Sequence, residues 1–370
     1  MIPLFEHFPM LEKTLPYIHL CELPTPIFKL EHFGQEIGLQ DLYVKQDGLT
    51  AHPFGGNKIR KLEFLLADAI AGGFYEVLTF GYAGSNHALA TAIYAEKLGL
   101  KSISMLIPQP NAYYVQRNLL TGWYHNAEFH FYPDRKKMLR GAWFQKWIHL
   151  VKTGKNPYVI PPGGSNPLGI IGFINAAFEL KNQIDSDDMP EPDHIYVPLG
   201  TAGTATGLLI GLKALGLKTR VTLIRIIEPH IISTEAICQL FRDTVRFLRK
   251  NDFTFPNIEI SPEDFDICDN YLGNGYAHFT PEGNHAISLM KKNEAIPLDG
   301  TYTGKTLAAL IGDAKSDKLR GKVVLFWNTL NSNDLLPFTE NADYKNLPGD
   351  FHQFWDTPVQ PLDLKEDEED

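Results

Sequence analysis

The chain has 370 residues, of which 44% are hydrophobic and 21% charged, a balance that excludes a disordered or collagen-like protein. Its net charge is −10, with 34 Lys+Arg against 44 Asp+Glu, and the stretch from Asp363 to Asp370 carries half of the excess. No strong Lys/Arg block is present, so a nucleic-acid partner is not expected.

In chain order, the opening MIPLFEHFPMLEK has acids and prolines where a signal peptide needs a basic start and an apolar core. β-Branched or aromatic runs predict strands at Asp41–Gln46, Glu76–Phe80, Ser102–Ile107 and Glu128–Tyr132. Three more follow at Ile195–Leu199, Val221–Ile227 and Lys322–Phe326. Ile59, Leu62, Leu65, Leu66 and Ala69 have helical spacing and predict a helix over Asn57–Ala71. Similar patterns predict helices over Asn86–Leu98, Tyr113–Gly122, Lys136–Val151, Leu168–Gln183 and Thr206–Leu215. The aromatic stretch Trp143–His149 reads as a buried helix face or a dimer contact. The basic stretch Phe241–Lys250 reads as an amphipathic helix.

Strand–helix alternation implies an α/β protein with parallel sheets covered by helices. The strands near 76, 102 and 128 form one block, and those near 195, 221 and 322 a second, joined by the strand near 41. The Pro/Gly/Ser/Asn-rich stretch near 165 marks a boundary. The expected organisation is a larger domain, 1–61 plus 166–340, with a smaller α/β domain, 62–165, inserted in it. A C-terminal extension, 341–370, ends in the acidic tail. The 19 residues from His194 to Leu212 lack Asp, Glu, Lys and Arg, close to the length of a membrane span. Four glycines and a proline make them a strand, a loop and a helix start instead. Cys21, Cys238 and Cys268 are far apart and form no CxxC pair, which suits a reducing compartment. A cytoplasmic protein without a membrane partner is expected. The 13 histidines show no HExxH pair, so no metal site is expected either.

Three segments carry candidate chemistry. In Pro198–Gly207 (PLGTAGTATG) a strand runs through a small-residue loop into a helix, which would expose backbone N–H groups to an anion. The glycines fall as GxxGxxxG, which is neither the dinucleotide fingerprint nor a phosphate loop. In Phe54–Glu63 (FGGNKIRKLE), Asn57 is the expected N-cap and Lys58 opens the helix. The positive end of the helix dipole should lower the lysine pKa and suit it to Schiff-base chemistry. Arg60 starts the charged run that follows, in which Lys61 and Glu63 read as ordinary surface charges. In Gly81–Ala88 (GYAGSNHA), Ser85 and Asn86 offer short polar groups and amides at a helix start, for a carboxylate or a phenolate oxygen. The plain alternative for either is an N-cap.

GGNK, then GSNH after a strand, then a Gly/Thr loop after a later strand resemble the pyridoxal-phosphate enzymes of the tryptophan-synthase-β fold type. Within it, the chain is most similar to the D-cysteine desulfhydrase and 1-aminocyclopropane-1-carboxylate (ACC) deaminase family. Further similar segments are Gly163–Gly169, Gly273–Tyr276, Pro281–Ile287 and Leu298–Lys305. The likeness runs from Leu23 to Asn331. It implies two three-layer αβα domains (fold type II), a pyridoxal 5′-phosphate cofactor, a small amino-acid substrate and a homodimer. Lys58 would hold the cofactor covalently and move the Cα proton. Asn86 would bond its 3′ oxygen. The backbone of Gly200, Thr201, Ala202, Gly203 and Thr204, with the two threonine hydroxyls, would cradle the phosphate. Ser85, with the amides of Asn86 and His87, would take the substrate carboxylate, and Tyr276 and Tyr302 would face the substrate. Thr303 falls beside the pyridine nitrogen, with Thr329 a second candidate for that contact.

The resemblance also separates two activities. ACC deaminases carry glutamate where this chain has Thr303, and a neutral hydroxyl leaves a weaker electron sink. That implies β-elimination from a D-cysteine-like substrate to pyruvate, ammonia and sulfide. ACC deamination, another deaminase, dehydratase or racemase activity, and cofactor binding without turnover are the alternatives. Three places depart from the family pattern: Gly84 stands where glutamine is usual, Leu89 where arginine is frequent, and Asn328–Asn331 replaces an HTGG motif.

Overall fold

The structure, a computed structural model, describes residues 1–363. The acidic run Leu364–Asp370 lies outside the described residues. The strands are β1 (Ile27–Lys29), β2 (Leu42–Gln46), β3 (Glu76–Tyr82), β4 (Lys101–Ile107), β5 (Glu128–Phe131) and β6 (Tyr158–Val159). Then come β7 (His194–Leu199), β8 (Arg220–Arg225), β9 (Phe265–Cys268) and β10 (Val324–Asn328). The helices are α1 (Pro3–His7), α2 (Pro9–Thr14), α3 (Glu31–Ile37), α4 (Ile59–Ala71), α5 (Asn86–Lys97), α6 (Tyr113–Tyr124) and α7 (Arg135–Thr153). They continue with α8 (Ile171–Asp185), α9 (Gly203–Ala214), α10 (Thr234–Asn251), α11 (Pro281–Glu294), α12 (Thr303–Lys315) and α13 (Gln353–Asp356).

Two compact units emerge, Met1–Phe64 with Ser165–Ser332, and Leu65–Gly164 with Asn333–Asp370. The segment from Asn333 thus groups with the smaller unit, whereas the sequence reading divided it between the larger domain and a separate extension.

The larger unit is built on a six-stranded sheet of order β1-β2-β10-β7-β8-β9, parallel except for the β1–β2 pair. Its central strands are apolar on both faces, as a sheet covered on both sides requires. One face packs Leu325, Trp327, Val197 and Leu199 against α1, α8, α9 and α10. The other packs Val44, Tyr196, Ile224 and Phe326 against α3, α11 and α12. The basic stretch around Phe241–Lys250 is the amphipathic part of α10, which buries Ile237, Phe241, Val245 and Leu248. The chain leaves β7 toward β8 on one side, while β10, reached much later, takes the other. The carboxyl ends of β7 and β10 therefore flank a switch point, where loops of such sheets diverge and leave room for a ligand.

A fully buried charge cluster lies in this unit. Arg60 reaches Asp47 at 2.7 Å and Glu179 at 2.8 Å, and Lys45 reaches Glu179 at 2.7 Å. Thr25, Gln183 and the indole of Trp327 complete its hydrogen bonds.

The smaller unit is a four-stranded parallel sheet of order β5-β4-β3-β6. Leu78, Phe80, Ile103 and Met105 pack against Met138 and Ala142 of α7. The α7 aromatic stretch differs from the buried-face reading, though not from the alternative of a dimer contact. Trp143 is 72% exposed, Trp147 55% and Phe144 52%, and only His149 is buried. At 3.6 residues per turn Trp143, Phe144 and Trp147 share one face of the helix and His149 lies on the opposite one, so it is the His149 side that is buried. The C-terminal segment packs on the same unit. Phe351 and Phe354 meet Phe129 and Phe131 of β5, and Asn111 and Gln116 donate to the Phe354 carbonyl.

Candidate active site

In the larger unit the loop before α4 is held from three sides. The amide of Gly56 donates to the Asp47 carbonyl at 2.7 Å, that of Asn57 to the Thr329 carbonyl at 3.2 Å, and that of Gly55 to Asn331 Oδ1 at 2.6 Å. Gly56 has φ +93°, and a Cβ there would stand 3.0 Å from the Thr329 carbonyl oxygen, so only glycine fits. The departure at Asn328–Asn331 is thus accounted for locally, because Thr329 and Asn331 clamp the Gly55–Asn57 loop.

The Asn57 side chain does not cap α4. Its Nδ2 donates to Thr204 Oγ1 at 3.0 Å, and the Lys58 carbonyl accepts the first helical bond, from Leu62. Lys58 therefore occupies the N-cap position itself. Burial pushes its ammonium down to about pKa 8 against an opposing pull from Asp299. Its Nζ lies 5.9 Å from the centre of the Tyr302 ring.

The loop after β7 turns at Ala202, which has φ +64° and begins α9 without a side-chain cap. The first N–H groups of such a helix have no partner within it. Thr201 Oγ1 shares a 2.7 Å hydrogen bond with Ser165 Oγ, and Thr204 is tied to Asn57. Lys61 and Glu63 are not surface charges, since both are 1% exposed. Burial, and then Lys58, pull the Lys61 pKa well down. Its Nζ borders Gly203, where a Cβ would come within 2.5 Å of it. A buried lysine amine and an uncapped helix N-terminus converge there, a set of N–H donors arranged for an anion such as a phosphate ester. The sequence reading missed Lys61 because its place beside Gly203 is set by tertiary packing.

Nearby in the same unit, the hydroxyls of Tyr276 and Tyr302 meet at 2.6 Å. Lys305 holds the tyrosine loop from below, donating to the carbonyls of Leu272 at 2.7 Å and Gly275 at 3.2 Å. Thr303 is fully buried, and its hydroxyl donates to Asp299 Oδ2 at 2.9 Å. The other oxygen of Asp299 accepts from the amides of Thr301 at 2.8 Å and Tyr302 at 2.6 Å.

In the smaller unit Ser85 is the N-cap of α5, its Oγ accepting from the Ala88 amide at 3.2 Å. Asn86 is half-buried and His87 buried in the first turn. Gly84 is explained by α6, since a Cβ there would lie 2.7 Å from the Tyr114 ring and 2.8 Å from Val115. Leu89 is a buried apolar residue of α5.

Comparison with known proteins gives this arrangement its context. Residues 18–329 match the family described as pyridoxal-phosphate dependent enzyme. The chain belongs to that family. This pyridoxal-phosphate-dependent enzyme is 34% identical to a Pyrococcus horikoshii protein named provisionally as a 1-aminocyclopropane-1-carboxylate deaminase, over 87% of its own chain and 93% of the relative. It is 30% identical to the D-cysteine desulfhydrase of Klebsiella pneumoniae, over 85% and 93% respectively. A crystal structure of an ACC deaminase homologue superposes with a TM-score of 0.75 at 31% identity, covering 89% of this chain and 98% of that one. An O-ureido-L-serine synthase structure, at 16% identity and a TM-score of 0.55, shares the fold. The expected fold class and cofactor are thereby established, as is membership of the ACC deaminase and D-cysteine desulfhydrase group. The residues fit the cofactor, with an amine of lowered pKa at Lys58 and a buried cradle of N–H donors at the uncapped start of α9 and at Lys61 beside Gly203. Among the described residues no helix is long and apolar enough to cross a membrane, and no group of His, Cys, Asp or Glu could hold a metal ion.

Proposed function

We propose that this enzyme eliminates the β-thiol of a D-cysteine-like amino acid, consuming water and releasing pyruvate, ammonia and sulfide. The observation that carries this reading is position 303. Its side chain is a neutral threonine, and the carboxylate its hydroxyl meets, Asp299, is occupied by the amides of Thr301 and Tyr302 and the Thr303 hydroxyl. No uncommitted negative charge is therefore offered by this segment to a ring nitrogen. When bound, pyridoxal phosphate supplies an electrophilic carbonyl and a conjugated ring that accepts charge from Cα.

Lys58 holds the cofactor and moves the Cα proton, a task suited to an amine with a pKa near the working pH. Gly200–Thr204 and the hydroxyls of Thr201 and Thr204 bind the phosphate, and Lys61, beside Gly203, adds a further N–H donor. Asn86 donates to the 3′ oxygen. Ser85 and the amides of Asn86 and His87 orient the substrate carboxylate. Tyr276 and Tyr302, sharing one hydroxyl contact, face the substrate and supply or take up a proton at the departing thiol. Thr303 meets the pyridine nitrogen, with Thr329 the second candidate for that contact. The likeness to the family also suggests a cytoplasmic homodimer, and the exposed apolar face of α7 is consistent with pairing of two copies.

The test offers D-cysteine, L-cysteine, ACC and D-serine to the purified holoenzyme while keto acid and sulfide are measured. Pyruvate and sulfide in equal amounts from D-cysteine are expected. Keto acid from ACC, with no sulfide from either cysteine, would replace this reading by ACC deamination.

A further inference from the structure

The smaller unit contains a chain of hydrogen bonds whose directions are fixed by chemistry. Asn118, on α6 and 4% exposed, places Nδ2 3.0 Å from the Gly84 carbonyl oxygen and 2.8 Å from Asn86 Oδ1. A backbone carbonyl can only accept, so the atom of Asn118 facing it has to be the NH2. That same NH2 meets Asn86, so the Asn86 atom opposite it has to be the oxygen. Both hydrogens of the Asn86 amide are then turned away from α6. Among the described residues Asn118 Oδ1 is left buried with no partner, the cost of an amide used for its donor end.

The approach of α6 is itself fixed. The Gly84 amide donates to Gln109 Oε1 at 2.9 Å, and Gln109 Nε2 donates to the Tyr114 hydroxyl. Tyr114 and Asn118 are one helical turn apart on α6 and share a face. The Gly84 peptide is therefore gripped at its N–H by Gln109 and at its neighbouring C=O by Asn118.

We infer that Asn118 is a positioning residue that locks the Asn86 amide as a hydrogen-bond donor. This rests on the proposed contact of Asn86 with the cofactor's 3′ oxygen. A phenolate oxygen only accepts, so the reversed amide would set oxygen against oxygen. Asn118 removes that orientation before the cofactor arrives and so raises affinity without touching it.

The test compares Asn86→Ala, Asn118→Asp, Asn118→Ala and the double variant Asn86→Ala/Asn118→Asp. Cofactor affinity and the visible band of the reconstituted protein with its pH titration are recorded, and a thermal melt and far-UV spectrum confirm folding. Asn118→Asp swaps the donor for an acceptor of the same shape. Asn86 then turns its NH2 inward, and cofactor Kd rises about tenfold or more, with the band moved as in Asn86→Ala. Asn118→Ala leaves both orientations open, for a loss of about twofold. The double variant matches Asn86→Ala alone. Wild-type affinity and spectrum in a folded Asn118→Asp protein, beside a shifted Asn86→Ala, would overturn the inference and leave the Asn86 assignment standing. Losses that multiply in the double variant would make Asn118 merely structural. An Asn86→Ala protein with unchanged affinity and band would remove the Asn86 contact itself, and the inference with it.

Discussion

The sharpest quantitative expectation concerns the reactivity of Lys58. An ordinary lysine with a pKa of 10.5 holds about 0.3% of its amine unprotonated at pH 8. Burial brings the Lys58 pKa to about 8, so about half is free amine at that pH. The gain in attacking amine is about 150-fold. The assay strips the cofactor, remixes the apoprotein with excess pyridoxal phosphate between pH 6 and 10.5, and follows the visible band. The rate constant should climb about tenfold per pH unit up to pH 8 and flatten above it. Asp299 opposes the shift, so Asp299→Asn should move the inflection below 8. Borohydride reduction and peptide mapping should place the label on Lys58. Lys305 is also brought down to about 8 by burial, but its ammonium is held by two carbonyls. A rate still rising log-linearly at pH 10, or a label on Lys305 or Lys61, would refute the reasoning.

Other expectations follow from the same geometry. Glu179→Gln should cost about 3–5 kcal/mol in denaturant unfolding, because Arg60 and Lys45 lose the charge between them. Burial pushes the Glu179 carboxyl up, but Arg60 and Lys45 outweigh it and hold it at about 2, below the usual 4.5. Its contribution of about 3 kcal/mol is therefore complete above pH 4.5 and is lost as pH falls toward 2, which a series of acid melts would show. Gly56→Ala should weaken cofactor binding and cost about 1–3 kcal/mol, since φ +93° strains any side chain there. Trp143→Ser with Trp147→Ser should leave protomer stability within about 0.5 kcal/mol of wild type while reducing self-association in sedimentation.

The seven expected strands were legible because buried parallel strands are β-branched runs ending at turn residues. β1 and β6, of three and two residues, are too short to carry such a pattern, and β9 has an aspartate after its first residue. The candidate loops could be found because Gly-Gly-Asn-Lys and Gly-Ser-Asn-His are contiguous. Their supports could not. Nothing local assigns Arg60 a role, because its partner Glu179 is 119 residues away. Lys61 is similar, with Ser165 104 residues off. Gln109 and Asn118 lie on a separate segment from the Gly84 loop they grip, so no local pattern announces them. The α7 aromatics misled for the opposite reason, since composition says nothing of which side of a helix faces the sheet.

The packing of Phe351 and Phe354 over β5 has a consequence for how the protein stays dispersed. Among the described residues β5 is an edge strand, hydrogen-bonded on one side only, and it displays Phe129 and Phe131 on a single face. An edge of that kind is a template for strand addition by another chain. The family match ends at residue 329, before the segment that covers those side chains begins. A chain cut back to the family boundary would keep Lys58 and its loops but bare the phenylalanine face beside that edge. It should aggregate during refolding at concentrations where the full chain remains in solution.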